Sequence, residues 1–147
     1  MAKDFFSKVE QEQIVNSIKA AEKNTSGEVQ VHIEEYCKLA PMERAKEVFA
    51  TLGMHKTALQ NCVLFYLAVK DKKFAILGDA GIDKAVPTDF WDSIKNQMTV
   101  QFKNGNIATG LCVGILAAGN QLKAHFPYQN DDTNELSDEI SFGKTEN

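Results

Sequence analysis

Eight consecutive residues, Cys62-Val-Leu-Phe-Tyr-Leu-Ala-Val69, carry no charge and no turn former. A bilayer span needs roughly 20 apolar residues, so this run is far too short to cross a membrane. Its length and its β-branched and aromatic content suit a strand covered on both faces. That one element constrains the rest: the chain must supply an apolar layer above the strand and another below it. Lys70-Asp71-Lys72-Lys73 turns the chain, and Phe74 to Leu77 returns as a further strand, antiparallel to the first.

The layers can be found on either side. Ser7-Lys8-Val9-Glu10 has the spacing of a capping box. Val9, Ile14, Ile18 and Ala21 then recur at helical spacing, with an end expected near Asn24. Gly27 opens a strand in which Val29, Val31 and Ile33 alternate with Gln30, His32 and Glu34, a period of two that predicts one buried and one wet face. Pro41 suits the first turn of a helix with the stripe Ala45, Val48, Phe49 and Leu52, stopped by Gly53. Gly78 to Asp83 reads as a tight glycine-containing loop. Pro87 and Thr88 introduce a helix carrying Phe90, Trp91, Ile94, Met98 and Phe102 and closed by Gly105. A last helix spans about Ile107 to Ala124, with Gly110 and Gly114 spaced for close packing against the sheet. The order α-β-α-β-β-α-α predicts an α/β fold: a three-layer αβα sandwich with a small mixed sheet of about four strands and helices on both faces.

Charge divides the chain into a domain over residues 1–127 and an acidic tail over 128–147. The tail holds six acids against one lysine, a net −5, which leaves +1 on the domain from a total of −4. That balance argues against nucleic-acid binding, which needs a basic face for phosphates. Cys37, Cys62 and Cys112 are an odd set without a CxxC spacing, and Met1 to Phe6 has no apolar core of a signal peptide. Both point to a reducing, cytoplasmic setting with no membrane insertion. Cys62 and Cys112 read as core residues and Cys37 as more exposed.

Several segments in order resemble the TPM-domain family. These are Thr25-Ser26-Gly27-Glu28-Val29-Gln30-Val31, the apolar strand Val63 to Val69, Gly78-x-x-Gly81-Ile82-Asp83, Phe102-x-x-Gly105, and the glycines 110 and 114. The match covers about residues 7–126, and the chain looks like a stand-alone, bacterial cytoplasmic form of the domain. The resemblance implies an αβα fold. It also implies an acid-phosphatase activity known in the plant branch, weakened here because Gln60-Asn61-Cys62 stands where relatives carry Asp-Asn-Gly. The loop around Asp79 is one residue longer than in relatives and gains that aspartate.

The residues themselves favour a hard-cation site. Asp79 and Asp83 flank glycine-bearing turns at a strand end, where α/β folds place ligands. Asp131, Asp132, Asn134 and Glu135 form a second oxygen-rich strip, without the glycine and glutamate spacing of an EF-hand. Leu136, Ile140 and Phe142 give that tail apolar anchors. The histidines His32, His55 and His125 lack partners at helical spacing, and the sole arginine, Arg44, speaks against phosphate recognition. The expected function is a non-catalytic module binding divalent metal ions, Ca²⁺ first and Mg²⁺ second, with its loops ordered by metal. A metal-assisted phosphomonoesterase and a domain for an unidentified protein partner are the rivals.

Overall fold

The computed structural model describes residues 2–57, 59–87, 89–128 and 138–143, without the side chain of Lys3. A 3₁₀ turn at Ala2–Asp4 leads into α1 (Lys8–Glu22). There follow β1 (Glu28–Glu34), α2 (Pro41–Thr51), β2 (Cys62–Ala68), β3 (Lys73–Gly78), α3 (Ala80–Ala85), α4 (Phe90–Lys103), α5 (Ile107–His125) and β4 (Ser141–Phe142). The sheet order is β3-β2-β1-β4. β1 is parallel to both β2 and β4, and β3 is antiparallel to β2. This is a mixed sheet between two helical layers, the expected three-layer sandwich. Among the described residues no helix is long and apolar enough to cross a membrane.

Local chemistry sets each element. At α1 the capping box forms in full: Glu10 N–H donates to Ser7 Oγ at 3.1 Å, and Ser7 N–H to Glu10 Oε1 at 2.9 Å. Pro41 stands at the first turn of α2, and Gly53 ends that helix with φ 69°, a left-handed conformation that costs glycine least. β2 is buried at all seven positions, so its continuous apolar run is explained by cover on both faces.

The two faces differ in size. One core holds α1, α4 and α5 against Val29, Val31, Ile33, Val63, Phe65, Leu67 and Ile76. The other holds α2 and the turn at Met54 against Cys62, Leu64, Tyr66, Ala68 and Ala75. That second layer corrects the reading of β1. Gln30, His32 and Glu34 are not wet: each is 7–8% exposed, because this face of the strand is covered as well. Cys37 is likewise buried in the second core, and Val9, read as part of the apolar stripe of α1, is exposed.

Two further elements escaped the pattern. Gly78 to Asp83 is not a loop; Asp79 caps α3 directly off β3. Residues Ser141 and Phe142 add β4, with Ile140 and Phe142 packed against the larger core. Gly110 serves helix packing rather than the sheet, since a Cβ there would meet the Phe102 ring of α4. Gly114 lies between Met98 of α4 and Phe65 of β2.

Gly119 brings α5 onto α1. A Cβ built on it would lie 2.6 Å from both Cα and Cβ of Ala21, and backbone cannot swing away as a side chain can. Gly119→Ala gains about 1 kcal/mol of helix propensity but overpacks, at about 1–3 kcal/mol. Gly110→Ala meets the Phe102 ring, a side chain that can turn aside, and Gln101 Cβ at 3.3 Å. Thermal unfolding should therefore show Gly119→Ala less stable than the parent by a few degrees, and less stable than Gly110→Ala.

Candidate functional sites at the two ends of the sheet

The amino ends of β1 and β2 meet the carboxyl end of β3. Here the α1–β1 turn is tied to the end of α5: the Thr25 hydroxyl donates to Leu122 O at 3.1 Å and contacts Phe126 O, and it accepts from Gly27 N–H at 3.0 Å. Tyr128 N–H donates to Asn24 O at 3.3 Å. Asn61 O accepts from Glu28 N–H at 3.3 Å, and the Asn61 amide reaches Ser26 Oγ at 3.4 Å. Asp79 N–H donates to Cys62 O at 2.9 Å, so Glu28 and Asp79 flank the first residue of β2 from opposite sides.

Asp79 Oδ1 accepts from Ala80 N–H at 2.7 Å, while Oδ2 is buried with no hydrogen-bond partner among the described residues. Asp83 lies one helical turn on, exposed, its N–H donating to Asp79 O at 3.1 Å. The structure thus joins Asp79 and Asp83 through the backbone of one helical turn. The other expected ligands, Asp131, Asp132, Asn134 and Glu135, lie outside the described residues. Among the described residues no three His, Cys, Asp or Glu side chains are grouped so as to hold a metal.

The tail reaches this same end at Asp138. Glu22, at the end of α1, accepts from Val29 N–H at 2.8 Å. Burial, a hydrogen bond with Asp138 and the nearby charges of Asp138 and Glu28 outweigh that donor and push the Glu22 carboxyl up to about 9. At neutral pH the Glu22 carboxyl therefore keeps its proton.

At the other end of the sheet the buried polar phase of β1 converges on Glu34. Tyr66 O–H donates to Glu34 Oε2 at 2.6 Å, and Arg44 Nε donates to both carboxylate oxygens at 3.1 and 3.2 Å, with Nη2 also on Oε1. His32 Nε2 is 3.1 Å from Glu34 Oε1, and His32 Nδ1 is 2.8 Å from Ser141 Oγ. The Tyr66 and His32 rings stack at 6.1 Å. Burial pushes the Glu34 carboxyl up, but the bonds from His32, Arg44 and Tyr66 win and hold it well below the usual carboxylate range. Burial, with Cys37 and Glu34 beside it, raises the Tyr66 phenol well above its ordinary value. Gly143 allows the close fit, since a Cβ there would lie 2.9 Å from Glu34 Oε1. A cavity of about 270 Å³ opens beside this network, lined by Glu34, Glu35, Cys37, Arg44 and Glu47 among others.

None of His32, Glu34, Tyr66 or Ser141 was singled out from the sequence as a site residue. The available signal was weak: His32 and Glu34 share one phase of a strand, and Tyr66 falls opposite His32 only once the β1–β2 register is known.

A TPM domain model matches residues 2–121 of the chain. Among solved structures, BA42 from the psychrophilic bacterium Bizionia argentinensis shares 47% identity over 95% of this chain and 96% of its own, with TM-score 0.89. The N-terminal domain of a P. gingivalis protein shares the fold at 17% identity and TM-score 0.64, covering 85% of this chain and 83% of its own. The N-terminal domain of cg2496 from Corynebacterium glutamicum does so at 14% and 0.59, covering 79% and 73%. No curated protein matches the chain.

The Glu22 pair has a pH signature. A carboxyl whose folded pKa is raised contributes its stability below its unfolded value near 4.5 and loses it as pH climbs through about 9. Glu22→Gln keeps the hydrogen-bonding shape without the titration. Melting curves from pH 5 to 9 should show the variant gaining on the parent as pH rises. A constant difference would mean that Glu22 does not titrate in this window.

Proposed function

The chain belongs to the TPM-domain family, and from that premise we propose that it is a divalent-cation-binding module, Ca²⁺ first and Mg²⁺ second. The cation would be held at the amino end of the sheet by Asp79 and Asp83, with Asp131, Asp132, Asn134 and Glu135 of the tail completing the shell. Binding there would order loops rather than turn over substrate.

The observation that carries this reading is Asp79 Oδ2, a carboxylate oxygen withdrawn from water with no donor beside it among the described residues. Such an oxygen costs free energy unless something positive meets it. Asp83, one turn along α3, adds a second carboxylate. Ca²⁺ takes six to eight oxygens, more than one turn of helix supplies. The tail is suited to furnish the rest, because its described flanks, Tyr128 and Asp138, both sit against residues 22–29. The register places the start of β1 two strand spacings from Asp79, about 10 Å. The raised Glu22 carboxyl marks how much carboxylate this corner already holds.

The phosphomonoesterase alternative is less well supported. Its natural phosphate ligand, Arg44, is committed to Glu34 and Glu47 at the opposite end. We place the module in the cytoplasm, where free Cys37, Cys62 and Cys112 are at home.

Excess Ca²⁺ should raise the melting temperature and EDTA lower it, since a ligand for the folded state alone adds about 2.7 kcal/mol at a hundredfold excess over Kd. Amides of 79–83 should shift on titration, and amides of 130–137 should exchange more slowly with Ca²⁺. Asp79→Asn should weaken all three effects. Identical melting and spectra with Ca²⁺ and EDTA would sink the reading. Metal-dependent phosphomonoester turnover lost in Asp79→Asn and Asp83→Asn would make the site an enzyme's.

A further inference from the structure

The carboxyl end of the sheet carries chemistry that the cation reading leaves unused. Glu34 is held ionised by the donors around it, so it can only accept hydrogen bonds. His32 Nε2 must then carry a hydrogen and donate to Oε1. In the neutral imidazole this leaves Nδ1 as an acceptor, and Ser141 Oγ, 2.8 Å away, is placed to donate to it. Ser141, His32 and Glu34 therefore stand as hydroxyl, base and orienting carboxylate, the arrangement that activates a serine.

The supports of this relay come from four elements. Glu34 and His32 lie on β1, Tyr66 on β2, Arg44 on α2 and Ser141 on β4. Tyr66 and Arg44 saturate the remaining lone pairs of Glu34, so the carboxylate is fixed in position and stays charged while the imidazole gains a proton. Ser141 lies on the outermost described strand and is partly exposed. Gly143 N–H donates to Ile33 O at 2.8 Å. Strand groups alternate direction, so the Phe142 N–H points the other way, out of the sheet edge. The amide following a nucleophile is where an oxyanion donor is useful.

We propose that Ser141 is a nucleophile for neutral acyl esters, with His32 as its base and Glu34 as the positioning residue. Ser141 Oγ bonds to the acyl carbon as its proton passes to His32 Nδ1, and the alcohol leaves with that proton. Water, giving a proton to the same nitrogen, then releases the carboxylic acid and restores the serine. Charge selects the neutral ester over a phosphate ester. Glu34, Glu35 and Glu47 outnumber Lys38 and Arg44 in the lining of the neighbouring cavity, Arg44 already faces Glu34 and Glu47, and Lys70 faces Glu35.

The test uses the full chain in EDTA, so that any bound cation contributes nothing. A fluorophosphonate probe should lose fluoride and mass-label Ser141, and p-nitrophenyl acetate should be hydrolysed. Ser141→Ala should abolish both. His32→Gln should slow labelling about a hundredfold while the amide spectrum away from the site is kept. Mapping the adduct on the parent needs no variant, so a poorly folded His32→Gln leaves the test standing. An unlabelled Ser141, labelling unaffected by His32→Gln in a folded variant, ester turnover undiminished in Ser141→Ala, or faster turnover of p-nitrophenyl phosphate would overturn the proposal.

Discussion

A carboxylate taken out of water has to be met by donors, and around Glu34 that requirement organises three elements at once. Arg44 must come from α2, Tyr66 from β2, and His32 from two residues earlier on β1. Leaving such a charge without one partner costs about 3–5 kcal/mol, comparable with much of a domain's net stability. The smaller helical layer is therefore oriented by geometry as well as by apolar area. Apolar packing of Ala45, Val48 and Phe49 holds α2 on the sheet, and the Arg44–Glu34 pair adds a directional tie.

The elements legible in the sequence are those that one period or one cap determines. Ser7 and Glu10 mark α1, Pro41 and Gly53 bracket α2, and the run from Cys62 admits a single reading. What failed did so for identifiable reasons. β1 alternates like a half-wet strand because Gln30, His32 and Glu34 are polar. They are polar because they bond to one another and to α2, and a periodicity argument prices only transfer from water. Six residues are too few for α3 to show a stripe, so its sequence reads as a loop. β4 is two residues long, and only Ile140 and Phe142, apolar within an acidic tail, hint that this segment has something to cover.

The sites follow the same division. Asp79 and Asp83 could be nominated because glycine and aspartate at a strand end are a local signal. Their spacing survives in the structure as one turn of α3. The Ser141–His32 contact joins residues 109 positions apart, and no local pattern encodes it. Both ends of the sheet depend on the segment after Pro127, through Asp138 at one end and Ser141 at the other. A chain truncated at the end of α5 would keep most of the apolar core and lose part of each site.

The pairing of β4 with β1 also has a history within the folding reaction. Contacts of high sequence separation must overcome more loop-closure entropy than local ones. β2–β3 closes through a turn of four residues, whereas β4 reaches β1 across more than a hundred. Docking of β4 therefore belongs late, after the three-stranded sheet and α5 exist. Until then the β1 edge stands open, and an open edge is a template for another chain's strand. During that interval the same backbone groups that later receive Ser141 and Gly143 are open to misassociation.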